Sequence, residues 1–142
     1  MLNPREKNIK MKTIFITGAT SGIGKATAET FAKQGHRLII CGRRKEVLEQ
    51  LQIELSNITE VYSLVFDVRN QEEVENAIHS LPEEWKNIDV LVNNAGNAHG
   101  LESISEGNIA DWDAMMDGNV KGLLYVSQPI IKIMKARNTG HI

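Results

Sequence analysis

The sequence lacks the features that mark secreted, membrane-spanning or nucleic-acid-binding proteins. It has one cysteine in 142 residues, Cys41, so no internal disulfide can form, and the apolar run around this thiol favours a buried position in a reduced, cytoplasmic protein. No uninterrupted apolar segment approaches the ~20 residues that cross a bilayer. A net charge of −2 attracts neither nucleic acid nor an anionic membrane. We therefore predict a cytoplasmic protein without membrane or nucleic-acid partners.

Metal-ligand spacing and a secretory signal are also missing. The four histidines share no spacing typical of metal ligands, so we predict no metal site; they are His36, His79, His99 and His141. The first residues are polar and basic without an apolar core, and we predict a flexible leader over residues 1–11. Hydrophobic residues make up 42% of the chain, which is enough to build a core. We therefore predict one small domain over residues 12–142.

A glycine-rich stretch over residues 17–24 lies between two predicted elements. The apolar, β-branched residues 13–16 predict a buried strand, and residues 25–34 predict a helix that Gly35 caps. Backbone N–H groups at such a turn point outward at the positive end of the helix, which favours a bound phosphate. We interpret the turn as the floor of a dinucleotide site, the alternative being a turn that binds nothing.

The spacing within this stretch excludes two common phosphate motifs. Five residues separate Gly18 from Gly24, one more than a P-loop allows, and Ala26 stands where the P-loop has its magnesium-binding hydroxyl. Thr20 occupies the position of the second glycine in the G-x-G-x-x-G fingerprint. The pattern that remains is T-G-x-x-x-G-x-G.

Strand and helix patterns alternate along the rest of the chain. Apolar runs predict strands over residues 37–41, 61–66 and 89–93, with amphipathic helices between them, one of which begins at Asn70 with Glu73 in a capping-box arrangement. A longer helical pattern over residues 108–137 is interrupted at Gly118 and Pro129, where we expect a kink or two pieces. Residues 141–142 resemble the start of another strand. We predict an α/β fold with a doubly wound parallel sheet of the Rossmann type, truncated after the fourth strand and the long helix that follows it.

Two arginines follow the second predicted strand. In dinucleotide-binding sheets this position meets the adenosine ribose, where a carboxylate favours NAD and an arginine favours the 2′-phosphate of NADP. Here Gly42 is followed by Arg43 and Arg44, with no acid nearby. Cations at a helix N-terminus oppose the helix dipole, which argues against the alternative that they are only solvated residues. We predict NADP as the cofactor.

Four motifs in order make residues 12–142 resemble the short-chain dehydrogenase/reductase family. They are the turn at 17–24, Asp67-Val68 after the third strand, Asn93-Asn94-Ala95-Gly96 after the fourth, and Asn119 in the long helix. The resemblance implies that Asp67 and Val68 contact the adenine, that Asn94, Ala95 and Gly96 lie along the adenine-ribose, and that Asn119 holds a water of a proton relay. The predicted cofactor-binding residues are Gly18, Ala19, Thr20, Ser21, Gly22, Ile23, Gly24, Arg43, Arg44, Asp67, Val68, Asn94, Ala95 and Gly96, and the predicted catalytic residue is Asn119.

A narrower resemblance rests on residues 42–44, 81–89 and 94–100, which look like those of NADP-dependent 3-hydroxy acid dehydrogenases of the serine and allo-threonine type. It implies hydride transfer between NADP and a small hydroxy acid or alcohol, or its carbonyl form, in a full-length protein that forms a homo-oligomer.

The catalytic Tyr-x-x-x-Lys of the resembled family is missing. The two tyrosines are Tyr62 and Tyr125, and Phe66 and Pro129 stand four residues after them. We therefore expect this polypeptide to be the cofactor-binding part of an oxidoreductase, inactive alone, and unstable or self-associating through the open edge of its fourth strand. The alternative is a non-catalytic nucleotide-binding or sensor module; a flavodoxin-like domain would leave Arg43 and Arg44 without a role.

Overall fold

The computed structural model describes residues 10–142, so the predicted leader at 1–11 lies outside the described residues except for its last two positions. The strands are β1 (Thr13–Ile16), β2 (Arg37–Gly42), β3 (Val61–Val65) and β4 (Val90–Val92). The helices are α1 (Gly22–Lys33), α2 (Lys45–Ser56), α3 (Gln71–His79), α4 (Ile109–Met116) and α5 (Gly122–Ala136). Within this part of the chain, no helix is long and apolar enough to cross a membrane.

The strands form one parallel sheet in the order β3-β2-β1-β4. All four carboxyl ends therefore lie at one edge of the sheet. The chain moves outward from β1 to β2 and β3, then returns to place β4 on the other side of β1, so the strand order reverses beside β1. In open α/β sheets ligands bind at such a reversal, outside the carboxyl ends of the strands. The predicted fold class is confirmed.

Alternate residues of each strand enter two separate cores, one on each face of the sheet. Ile14, Ile16, Leu38 and Ile40 pack on one face against α1 and α2, through residues such as Ala28 and Leu48. Phe15, Ile39 and Leu91 pack on the other face against α3 and α5, through residues such as Val74 and Ile130. Successive side chains of a strand point to opposite faces, so apolar runs without alternation are buried on both sides.

Helix α1 begins at Gly22 rather than at the predicted Lys25, and Ser21 directly in front of it has an extended backbone. It ends as predicted. Gly35 has a φ of +78°, its N–H donates to the Ala32 carbonyl at 2.9 Å, and the His36 N–H donates to the Phe31 carbonyl at 3.1 Å. This pair of hydrogen bonds is a Schellman motif, in which glycine provides the left-handed residue.

The long helical segment is interrupted at one of the two predicted places. Helix α4 passes into a π-helical turn over Asp117–Lys121, which contains Gly118, and α5 follows without a break. Pro129 lies inside α5 and does not divide it into two pieces, and a kink there stays a prediction. After α5, His141 forms a parallel bridge with Val90, as expected for the start of a strand.

Candidate functional site

A groove of about 530 Å³ opens at the carboxyl edge of the sheet, over the reversal of strand order. Loops after β1, β2, β3 and β4 form its walls, and the π-helical turn closes one side. Its lining consists of Gly18, Thr20, Ser21, Cys41, Gly42, Arg43, Arg44, Phe66, Asp67, Val68, Arg69, Asn94, Ala95, Gly96, Asn97 and Gly118. Residues from 18 to 118 are therefore brought to one concave surface.

The glycine-rich turn is folded too closely for side chains at two of its positions. Gly18 has a φ of +65°, and a Cβ there would lie 2.9 Å from Ala95 Cα. A Cβ at Gly24 would overlap the Gly18 carbonyl and the Asn94 side-chain nitrogen. Gly18 adopts the left-handed conformation, and the chain leaves no room for a side chain at Gly24, so both positions require glycine for the turn to fold.

Thr17 and Asn94 join the ends of the two central strands. The Thr17 hydroxyl oxygen accepts hydrogen bonds from the backbone N–H groups of Asn94, at 3.1 Å, and Ala95, at 3.0 Å. The Asn94 amide Nδ2 donates to the carbonyls of Thr17, at 3.0 Å, and Gly18, at 3.1 Å. Asn94 thus borders the groove while its side-chain donors hold the glycine-rich turn in place.

The N-terminus of α1 faces the groove without a local anionic group. Among the described residues, Ser21 makes no side-chain cap hydrogen bond, and the first turn of α1 contains no acid. By contrast, α3 and α4 are capped by the side chains of Asn70 and Asn108 and have acids in their first turns. The positive end of α1 is therefore left to interact with an anion in the groove.

Arg43 and Arg44 also border the groove, beyond the end of β2. The Arg44 Nη2 donates to the Thr20 hydroxyl oxygen at 3.0 Å and to the Thr20 carbonyl at 3.3 Å, which holds this guanidinium against the glycine-rich turn. The Arg43 Nη1 lies 3.7 Å from Asp67 Oδ2, and 61% of its side chain is exposed. The glycine-rich turn and both arginines therefore lie next to one another in the groove.

Asp67 is held by Arg69, which the sequence analysis missed. The Arg69 Nε donates to both Asp67 carboxylate oxygens, at 3.0 and 3.1 Å, and Nη2 donates to Oδ2 at 2.6 Å. These hydrogen bonds hold the pKa of Asp67 below its ordinary value. The signal for Arg69 was its place directly after Asp67-Val68, at the same sheet edge as Arg43.

Asn119 fastens the loop after β4 to the π-helical turn. Its Oδ1 accepts from the Asn97 backbone N–H at 2.8 Å, and its Nδ2 donates to the Asn97 carbonyl at 2.7 Å. Gly96 lies beneath this pair, since a Cβ there would be 2.9 Å from Asn119 Oδ1. Both polar ends of the carboxamide are thus engaged by backbone groups, and the water-holding role of Asn119 stays a prediction.

Most of the predicted cofactor-binding residues line the groove, but four do not. Ala19 has no exposed surface and packs in the core with α1 and α2, whereas Ile23 is 79% exposed. Gly22 and Gly24 lie in the first turn of α1, outside the lining. The binding roles of the residues that do line it stay predictions. Asn97 and Arg69 are additions to the predicted set.

The groove contains no tyrosine in the part of the chain that the structure describes. Tyr62 and Tyr125 instead pack against the core shared by α3 and α5. Cys41 lies at the floor of the groove, where burial raises the pKa of its thiol and keeps it protonated. Residues 10–142 also contain no group of three or more side chains that could hold a metal ion.

Comparisons with known proteins match almost the whole chain. The family model described as short chain dehydrogenase matches residues 12–142. The NADP-dependent 3-hydroxy acid dehydrogenase YdfG of Escherichia coli O6:H1 is 45% identical over 129 residues, which are 91% of this chain and 51% of that protein. Sulfoacetaldehyde reductase 2 of Chromohalobacter salexigens is 41% identical over 127 residues, 89% of this chain and 50% of the relative.

A solved structure, the closed form of serine dehydrogenase complexed with NADP+, matches with a TM-score of 0.85 and 44% identity. The match covers 92% of this chain and 52% of the serine dehydrogenase chain. The chain thus spans about half the length of the curated relatives it matches.

Proposed function

This chain belongs to the short-chain dehydrogenase family, and we propose that its groove binds NADP as the cofactor-binding part of an oxidoreductase. The observation that carries the proposal is that the glycine-rich turn, the uncapped N-terminus of α1, Arg43 and Arg44 lie next to one another at one groove. This arrangement combines a place for a pyrophosphate with cations for a further phosphate. The named relatives that depend on NADP, or are complexed with it, support the same cofactor.

The residues present fit such a cofactor by shape and charge. Ser21 lines the groove, and Gly22 and Ile23 directly after it are exposed, so a pyrophosphate can approach the amides at the start of α1. Arg44 is already fixed beside Thr20, and Arg43 is mostly exposed, so both guanidinium groups can reach a 2′-phosphate at the end of β2. No carboxylate follows Gly42 directly to repel that phosphate.

Further roles follow for the other walls of the groove. Asp67 and Val68 would contact the adenine, and residues 94–96 would lie along its ribose. Asn94 contributes chiefly by fixing the glycine-rich turn, because both donors of its amide already bind carbonyls there. Asn119 would position the loop after β4 against the π-helical turn, with the water of a proton relay beside it. When bound, NADP supplies the hydride acceptor or donor for the reaction.

For the reaction, we propose hydride transfer between this cofactor and a small hydroxy acid or alcohol, or its carbonyl form. The names of the relatives that act on 3-hydroxy acids, serine and sulfoacetaldehyde support a small polar substrate. The alternative is a nucleotide-binding module without catalysis, which would equally leave the described groove lining without a tyrosine. Because residues 1–142 contain no Tyr-x-x-x-Lys, neither hypothesis predicts turnover by this polypeptide alone. Reading the coding frame past Ile142 for that motif, and testing the longer product for oxidation of NADPH by small carbonyl acids, separates the two, since only the first predicts turnover there.

The cofactor assignment is tested by titrating the protein with NADPH and NADH, following nucleotide fluorescence. We expect tighter binding of NADPH. Replacing Arg43 or Arg44 by Ala should weaken NADPH binding by about 1–3 kcal/mol, the scale of a hydrogen bond to a charged group, with little change for NADH. Lys45→Ala is the matched control, because this neighbouring cation pairs with Glu49 and is not part of the groove lining. Equal or tighter binding of NADH would refute the assignment.

A further inference from the structure

The groove holds one carboxylate among three guanidinium groups in the part of the chain that the structure describes. Arg43, Arg44 and Arg69 line it together with Asp67. Arg44 is held by Thr20 through Nη2, whereas Arg43 and Arg69 both lie beside the Asp67 carboxylate. A carboxylate in a groove that receives a phosphate dianion is repulsive unless a cation neutralises it.

The hydrogen bonds of Asp67 go to Arg69 rather than to Arg43. Besides the three side-chain contacts, the Arg69 backbone N–H donates to Asp67 Oδ1 at 3.0 Å. Both carboxylate oxygens are thus engaged by the residue two positions along the same loop. Only 23% of the Asp67 side chain is exposed, so solvent screens its charge incompletely. The cation paired with Asp67 therefore determines how strongly this charge repels an anion in the groove.

Arg43 is attracted to Asp67 without being hydrogen-bonded to it. The closest pair of atoms is separated by 3.7 Å, which is beyond the length of a good N–H···O hydrogen bond. Its guanidinium donors therefore stay available to another acceptor. If Arg69 were absent, the ionised Asp67 would have Arg43 as its nearest cation, and the pair could close to hydrogen-bonding distance.

We propose that Arg69 is a specificity-determining residue for 2′-phosphorylated nucleotides, which acts by neutralising Asp67 and so leaves Arg43 available for the phosphate. This inference rests on the proposed function of the groove. It assigns Arg69 a positioning role, since the residue acts through Asp67 and Arg43. A residue that only stabilised the loop would affect the binding of nucleotides with and without the 2′-phosphate alike.

The test compares two adenine nucleotides that differ by one phosphate, 2′,5′-ADP and 5′-AMP, by calorimetric titration of the whole polypeptide. Arg69→Gln should weaken 2′,5′-ADP binding about tenfold, which corresponds to ~1.4 kcal/mol, and 5′-AMP binding less than about twofold. Adding Asp67→Asn to Arg69→Gln should restore the preference for 2′,5′-ADP, because the repulsive and competing carboxylate is gone. Thermal melts of each variant check that the loop change has not unfolded the protein.

Arg43→Ala provides the matched comparison. This substitution removes the guanidinium group that binds the 2′-phosphate, so adding Asp67→Asn to Arg43→Ala should not restore the preference for 2′,5′-ADP. Equal loss for both nucleotides in Arg69→Gln, or no restoration by Asp67→Asn, would overturn the role of Arg69 while leaving the cofactor assignment intact. If the unmodified protein showed no preference for 2′,5′-ADP over 5′-AMP, the proposed function would fail first, and the inference with it.

Discussion

Asn94→Asp is the most direct test of how the glycine-rich turn is held. The substitution keeps the size of the side chain and replaces its amide NH₂ group with a carboxylate oxygen. In the protein that NH₂ group donates to the carbonyls of Thr17 and Gly18, at 3.0 and 3.1 Å. The variant would instead place an anionic oxygen against two carbonyl oxygens, at a residue that is only partly exposed.

The expected cost follows from these contacts. Two neutral hydrogen bonds contribute a net ~0.5–1.5 kcal/mol each, and the facing oxygen atoms add a repulsive contribution. We expect the free energy of unfolding to fall by about 2–4 kcal/mol, within the range of substitutions that break a partly buried hydrogen-bond network. For a domain of this size, that corresponds to a decrease of ~10 °C in the melting temperature. NADPH binding should weaken as well, because the turn loses its fixed position.

Urea denaturation followed by tryptophan fluorescence measures the change, since Trp85 is 8% exposed in the core shared by α3 and α5. The difference from the unmodified protein should shrink on acidification, because a protonated carboxyl can donate one hydrogen bond again. Asn76→Asp is the control: it makes the same chemical change at an exposed position of α3, where we expect an effect within ~0.5 kcal/mol. An Asn94→Asp variant as stable as this control, with unchanged NADPH affinity, would refute the reasoning.

Three further predictions concern packing, pH and capping. Gly24→Ala should destabilise the protein by about 1–3 kcal/mol and weaken NADPH binding, measured by urea denaturation and titration, because its Cβ would overlap the Gly18 carbonyl. Burial, and secondarily Lys12, lowers the pKa of His36 from its ordinary value of 6.5. The folded state therefore binds fewer protons than the unfolded state. The contribution of His36 to stability should be fully present above pH 6.5 and should be lost as the pH falls below it. Urea denaturation below pH 6.5 should show a smaller decrease in the free energy of unfolding for His36→Asn than for the unmodified protein. An equal decrease in the two proteins would contradict this role of His36. Asn70→Ala should cost ~1 kcal/mol in a denaturant melt, because the Asn70 side chain caps α3 by accepting from the Glu73 N–H at 3.3 Å.

The sequence by itself determined the features that depend on neighbouring residues. Apolar runs and amphipathic spacing predicted the four strands and the order of helices, and Gly35 marked the end of α1. The spacing of glycines over residues 17–24 and the position of Arg43 and Arg44 after β2 predicted the groove, because parallel strands place their carboxyl ends at a common edge. These signals are local, so they can be recognised before any partner is known.

Only the tertiary structure decided which side chains pair across that edge. Asn94 binds carbonyl groups 76 and 77 residues away in sequence, and Asn119 binds the backbone of Asn97 across 22 residues. Likewise, only the tertiary structure showed that Arg43 is mostly exposed and lies near Asp67, which Arg69 already holds. A polar side chain has several possible partners, and which one it meets depends on how the strands and loops are brought together in space. Local pattern thus determined where the groove lies, whereas long-range packing determined which of its charges remain available.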